Sequence, residues 1–156
     1  MKQVIIDMQG FKRDSQFIPK EVVVLFNEDE YFRFLIRPPC EFCELTRKQQ
    51  NNVKWLTENF HDLEWMDGTV TYKSVQSFIL ANVSKNTIVY VKGLEKSRWV
   101  EEFLKDEVCV ETIDDNITLK KLKEKFPNVK RCAGHSLTCA LENVFLIRNY
   151  LKYDCE

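Results

Sequence analysis

The chain has 156 residues, 44% hydrophobic, 12% aromatic and 30% charged, with only 4 Gly and 4 Pro. That is one domain with material for a sizeable core, which excludes a disordered or fibrous chain. Net charge −1 excludes bulk basicity, so any nucleic-acid contact must be a local patch, and no apolar run approaches the ~18 residues of a membrane span.

Residues 4–6 (Val-Ile-Ile) form a short apolar run typical of a buried strand, ended by Asp7 and Gly10. Asp7 also interrupts any signal-peptide core, so an intracellular, cytoplasmic or nuclear, chain is expected. Thiols stay reduced there, and six Cys then point to metal ligands or small buried hydrophobes more than to disulfides. Residues 21–26 (Glu-Val-Val-Val-Leu-Phe) predict a second strand and 27–30 a polar turn. Residues 31–36 pair back as a third strand, stopped by Pro38-Pro39.

Thr46 caps a predicted helix over 46–60, with Val53, Leu56 and Phe60 at helical spacing. His61 at its end reads as a C-terminal cap. A second helix is expected over 72–82, then a buried strand over 87–91. Gly93 turns the chain into a helix over 95–104, followed by a short strand over 108–111. A charged helix over 118–125 stops before Pro127, and a terminal helix covers 137–151. The order β-β-β-α-α-β-α-β-α-α implies a single α/β domain over 1–156, a mixed five-stranded sheet flanked by helices.

The densest local pattern is Cys132-Ala133-Gly134-His135, with Cys139 four residues on. Cys-x2-His lets two side chains converge on one zinc ion, and three N/S donors leave one tetrahedral vacancy. Glu95, the Cys40/Cys43 pair and Cys109 are candidates for it, and Cys40, Cys43, Cys132 and His135 make a rival Cys3His set. Against this stands a plainer reading, in which the cysteines are small buried hydrophobes and His135 is a satisfied histidine near a helix start. Cys155 reads as tail. Lys120, Lys121, Lys123, Lys125, Lys130 and Arg131 form a basic group that is either an ordinary solvated face or a track for a phosphate backbone. Tyr31, Phe32, Trp55, Trp65 and Tyr72 can stack bases or fill the core.

Ile5-Ile6-Asp7-Met8-Gln9, Leu45-Thr46, Trp65-Met66-Asp67-Gly68, the strand-turn-helix over 89–104 and Thr138-Cys139-Ala140-Leu141-Glu142-Asn143-Val144 together resemble the DEDDh 3′–5′ exonuclease branch of the ribonuclease H-like fold. Those enzymes hold two divalent ions with four carboxylates. Of these Asp7 is present. Gln9 replaces the paired Glu, the third carboxylate aligns near Ser97, the general base near Thr138 and the last Asp near Asn143. The resemblance therefore implies a catalytically degenerate domain in which Asp7 is vestigial or a strand-end cap and Mg²⁺ or Mn²⁺ is not expected.

Glu95, Cys132, His135 and Cys139 also resemble the zinc set of the Maelstrom domain of the piRNA pathway, itself of DEDDh ancestry. That resemblance implies a structural Zn²⁺ tying the terminal helix to the sheet. It also implies binding to single-stranded RNA or to a partner protein of an RNA-silencing or mobile-element system, and it permits a residual ribonuclease activity. Lys92, Lys96 and Arg98 would lie near the ancestral nucleic-acid face, with Lys130 and Arg131 as a second contact. No membrane contact and no nucleotide cofactor are implied. Two rival functions remain: an exonuclease with substituted ligands, Asp7 with Asp67 or Glu95, and a pure protein-interaction scaffold.

Overall fold

The computed structural model describes residues 3–27, 29–83, 86–105, 107–114, 116–133 and 138–154. Its first three strands, β1 (Gln3–Arg13), β2 (Gln16–Phe26) and β3 (Glu30–Leu35), form an antiparallel meander. Helices α1 (Arg47–Leu56) and α2 (Tyr72–Asn82) follow, then β4 (Ile88–Lys92), α3 (Leu94–Phe103), β5 (Cys109–Ile113), α4 (Leu119–Lys125) and α5 (Ala140–Asn149). The described strands make one mixed sheet ordered β3-β2-β1-β4-β5, with β4 and β5 parallel to β1. The α/β class, the mixed five-stranded sheet and the flanking helices match the order expected from the sequence. No described helix is long and apolar enough to cross a membrane.

The two faces of the sheet fill separate layers, because successive residues of a strand point to opposite sides. Val4, Ile6 and Met8 of β1, with Val22 and Val24 of β2, pack against Val75 and Ile79 of α2 and Val100 and Phe103 of α3. Ile5, Val23 and Leu25 face Leu141, Val144 and Phe145 of α5. A third cluster, Phe11, Leu45, Val53 and Trp65, seats α1 beside the far end of β1.

β1 and β2 are far longer than the apolar runs suggested. The expected strand end at Asp7–Gly10 is instead a β-bulge between Gln9 and Gly10, where Gly10 pairs with Pro19. A Cβ on Gly10 would stand 2.1 Å from the Ile18 carbonyl oxygen, so glycine is what lets the two strands approach. Pro19 lacks a ladder donor and is tolerated at such a bulge. The charged end of the hairpin is therefore strand rather than turn.

Local chemistry sets the other boundaries. Thr46 and Gln49 form a reciprocal capping box at the start of α1. The last turn of the predicted helix widens into a π-turn over Thr57–His61, closed by Asp62 in the left-handed conformation at φ 60°. Gly93, at φ 89°, caps the start of α3 in a conformation that side-chain-bearing residues rarely adopt. Lys20, fully buried, donates to the backbone carbonyls of Ile36, Trp65 and Asp67 and so ties the Trp65–Gly68 segment to the sheet.

Candidate functional site

Three elements converge where β1 reaches its bulge. Asp7 on β1 is 1% exposed. Its Oδ1 lies 2.8 Å from Lys96 Nζ, which arrives from the first turn of α3. Its Oδ2 accepts from Asn143 Nδ2 of α5 at 2.9 Å and from Gln9 Nε2 at 3.4 Å. Parallel strands direct their following helices to one end of a sheet, and the Gly93 turn delivers Lys96 there. Asp7, Gln9 and Asn143 are positions the resemblance singled out, whereas Lys96 was expected to face nucleic acid. Asn143 and Gln9 stand beside Asp7 as neutral amides, and the Lys96 ammonium stands against its other oxygen.

A single carboxylate with both oxygens already accepting hydrogen bonds offers little to a hard divalent ion. The ammonium balances the one negative charge. Ser97 is turned away from this cluster and accepts a hydrogen bond from Thr112 Oγ1 of β5 at 2.8 Å. Thr138 donates its backbone N–H to the Phe60 carbonyl at 2.8 Å. Asp67 closes the Glu64–Asp67 turn by accepting the Glu64 N–H at 3.0 Å.

A cleft of about 320 Å³ opens beside Asp7, lined among others by Lys12, Phe60, Glu95, Lys96 and Trp99. Lys12 and Glu95 pair across it at 3.0 Å, both substantially exposed. Phe17 stacks on Trp99 with centroids 3.8 Å apart and planes 4° from parallel, and Lys12 stands 5.5 Å over the same indole.

The cysteines divide. Cys132 and Cys139 come together at the start of α5, where the Cys132 N–H points at Cys139 Sγ over 3.3 Å. The carboxylate beside them is Glu21, whose Oε2 lies 3.8 Å from Cys132 Sγ and whose Oε1 accepts the Ala140 N–H at 3.2 Å. Glu21 is completely buried and bonded to Arg33 Nε at 2.6 Å. Burial pushes the Cys132 thiol up to about 12, with Cys139 and Glu21 adding to the shift. His135 lies outside the described residues, as do Gly134, Ser136, Leu137 and Cys155. Glu95, the carboxylate of the expected zinc set, is engaged with Lys12 instead of the thiols.

Cys40 and Cys43 belong to another region. Cys40 packs against the Phe11–Trp65 cluster, its Sγ 3.6 Å from Arg13 Nη1, and Cys43 is exposed. The structure does not bring this pair to Cys132. Cys109 is exposed on β5. Among the described residues, no group of three His, Cys, Asp or Glu side chains is arranged to hold a metal ion.

The expected basic contacts also separate. Lys92 is buried, Lys96 is held by Asp7, and Arg98 is exposed on α3. Lys130 lies 5.2 Å over the Tyr31 ring, and Arg131 bonds Glu142 of α5 at 3.3 Å. His61 is not a surface cap. Its Nδ1 accepts the Leu63 N–H at 3.1 Å, which leaves Nε2–H to donate to the Gly10 carbonyl at 3.0 Å.

The Glu21–Arg33 pair escaped the sequence reading. Its available signal was a charged residue set in each of two apolar strands, Glu21 ahead of Val-Val-Val-Leu-Phe and Arg33 within Tyr-Phe-Arg-Phe-Leu. No protein-family model matches this chain, and no curated protein matches it in sequence.

Proposed function

We propose that this chain is a catalytically silent ribonuclease H-like domain of DEDDh type, similar to the Maelstrom domain, that binds single-stranded RNA and carries one structural zinc. The arrangement around Asp7 carries this reading. Its carboxylate is the one acid left in the constellation, and Lys96, Asn143 and Gln9 already occupy it. A two-ion hydrolase needs carboxylates free to bridge metals, activate water and stabilise the leaving oxygen. Here an ammonium and two amides supply the charge balance and cohesion.

Zinc enters as a clamp on α5. Cys132 and Cys139 are adjacent soft donors, and His135 follows Cys132 at a ligand spacing. Glu95 is the fourth ligand on the Maelstrom resemblance, and Glu21 is the carboxylate already beside the thiols. Bound zinc would hold the start of α5 against β2 and displace thiol protons, so its affinity would rise with pH.

Metal analysis of protein purified without chelators tests the clamp. About one zinc per chain is expected, lost in Cys132→Ser and His135→Ala and kept in Cys40→Ser. Loss in Cys40→Ser alone would move the site to the rival set. Zinc content in Glu95→Gln and Glu21→Gln assigns the fourth ligand. The silent site is tested with single-stranded RNA and Mg²⁺ or Mn²⁺. Trimming that disappears in Asp7→Ala would overturn it.

A further inference from the structure

We infer that the pocket between the end of the β1–β2 hairpin and the segment after β3 binds a phosphomonoester carried on a flat ring, such as a nucleoside 5′-monophosphate. The pocket has a volume of about 290 Å³, and Arg13, Gln16, Arg37 and Tyr72 bring polar groups to it. Among the described residues its lining shares only Phe17 with the cleft beside Asp7. The inference does not rest on the RNA-binding reading.

The donors in this pocket are uncommitted. Arg37, exposed just past β3, has no side-chain hydrogen bond or ion pair among the described residues. Arg13 meets only the Cys40 thiol, its Nη1 3.6 Å from Sγ, and a thiol sulfur is a weak acceptor. The Gln16 amide and the Tyr72 hydroxyl likewise make no hydrogen bond among the described residues. No acidic side chain is among the described lining residues. In the cleft, by contrast, Lys96 is paired with Asp7 and Lys12 with Glu95.

Charge selects the head group. A phosphomonoester carries about −1.5 to −2 at pH 7 and three acceptor oxygens. Two guanidiniums match that better than they match a carboxylate, with its single charge and two oxygens. Burial, then Glu102, hold the Tyr72 phenol above its ordinary value, so its hydroxyl remains a donor at neutral pH. Glu102 itself lines a neighbouring hollow rather than this pocket.

The apolar part of the lining selects the body. Ile18, Pro19, Ile36 and Pro39 form it. Ile36 is fixed, bridged to Val70 and accepting at its carbonyl from buried Lys20 at 3.1 Å. Proline side chains have no rotamer freedom to lose, so a ring seats on them at little ordering cost. A volume at the small end of ligand pockets suits one ring with its head group.

The test is a phosphorus NMR titration of uridine 5′-monophosphate with the full chain. Kd below about 1 mM is expected. Uridine, which lacks the charge-assisted bonds, and inorganic phosphate, which leaves the apolar floor wet, should each bind about tenfold more weakly or worse. Arg37→Gln and Arg13→Gln should each weaken the mononucleotide roughly tenfold, and Tyr72→Phe roughly threefold. Lys54→Gln, an exposed lysine on α1 outside the pocket, controls for loss of charge alone and should leave Kd unchanged.

Inorganic phosphate binding as tightly as the mononucleotide would overturn the proposal. Binding that survives both arginine variants and is lost in Lys12→Gln would move the ligand to the cleft and overturn the assignment. A free mononucleotide and the 5′-phosphorylated end of an RNA strand present the same chemistry. A 5′-phosphorylated oligouridine that outbinds its 5′-hydroxyl form, with the advantage lost in Arg37→Gln, makes the strand end the source. Equal binding of the two oligomers leaves the free mononucleotide. Failure of the mononucleotide to bind overturns the pocket and leaves the RNA reading to the 5′-hydroxyl oligomer, which tests it separately.

Discussion

Asp7 and Glu21 are two buried carboxylates on neighbouring strands, and α5 reaches both, through the Asn143 amide and the Ala140 N–H. Gln9, two residues from Asp7, pairs across the ladder with Glu21. Each acid has a cation beside it, Lys96 for Asp7 and Arg33 for Glu21. Their surroundings differ. Asp7 is also wrapped by two side-chain amides, whereas Glu21 sits beside two thiols, which are weak donors. The first, on the reading proposed above, stands where a metal centre's carboxylates have become amides. The second is an ion pair that fastens a helix to a sheet, at the place proposed for zinc. The residues that look catalytic thus hold the fold together, and part of the set that looks structural is where a ligand is proposed to bind.

Removing the cations separates the two acids. Arg33→Met takes the guanidinium away from the buried Glu21 carboxylate. Removing one partner of a buried ion pair costs about 3–5 kcal/mol, the largest effect expected here. The urea midpoint should fall with m unchanged. Adding Glu21→Leu should recover much of the loss, because replacing both partners of a buried pair with apolar side chains is close to neutral. If the double variant is no more stable than Arg33→Met, the pair is not what fastens α5.

Lys96→Met is expected to cost less, about 1.5–3 kcal/mol, the range for a hydrogen bond to a charged group. The Asn143 and Gln9 amides remain on Asp7. The same variant uncovers Oδ1. A midpoint that rises on adding Mn²⁺ in Lys96→Met but not in the unmodified chain would show that the ammonium stands where a divalent ion can go. A loss equal to that of Arg33→Met would erase the contrast between the two sites.

Much of the architecture was legible because it depends on pattern. The apolar runs at 4–6 and 21–26 placed two central strands, and Thr46 marked the start of α1. Elements extended where a special residue meant something other than a stop. Gly10 read as a strand end, yet with Pro19 it forms one bulge, a pairing invisible until the strands are in register. In the site, Asp7 and Asn143 were found by alignment with a known motif order. Lys96 was seen as a cation for nucleic acid, not as the partner of Asp7. Its contact spans 89 positions along the chain, and no local spacing encodes it. Glu21 and Arg33 were hidden for a related reason. Their meaning lies in being diagonal neighbours on adjacent strands, Glu21 across from Leu35 and Arg33 across from Val23, which only the assembled sheet provides.

The smallest effect expected concerns the Cys132 thiol, which is partly exposed and therefore screened by solvent. Burial first, then Cys139 and Glu21, raise it from 9 to about 12. The metal-free folded chain thus keeps that proton more tightly than the unfolded chain does. The resulting stability is fully present below about pH 9 and is lost as pH climbs toward 12. Denaturation midpoints of metal-free protein should fall across that window, and less steeply in Cys132→Ala. Among the described residues Asp7 bonds to Lys96, Asn143 and Gln9 and to no thiol, so Lys96→Met should leave the Cys132 part of the slope unchanged. A Cys132→Ala curve parallel to that of the unmodified chain from pH 9 upward would mean that the thiol titrates alike folded and unfolded. Glu21 would then be no electrostatic neighbour of it, and the second acid would lose what distinguishes it from the first.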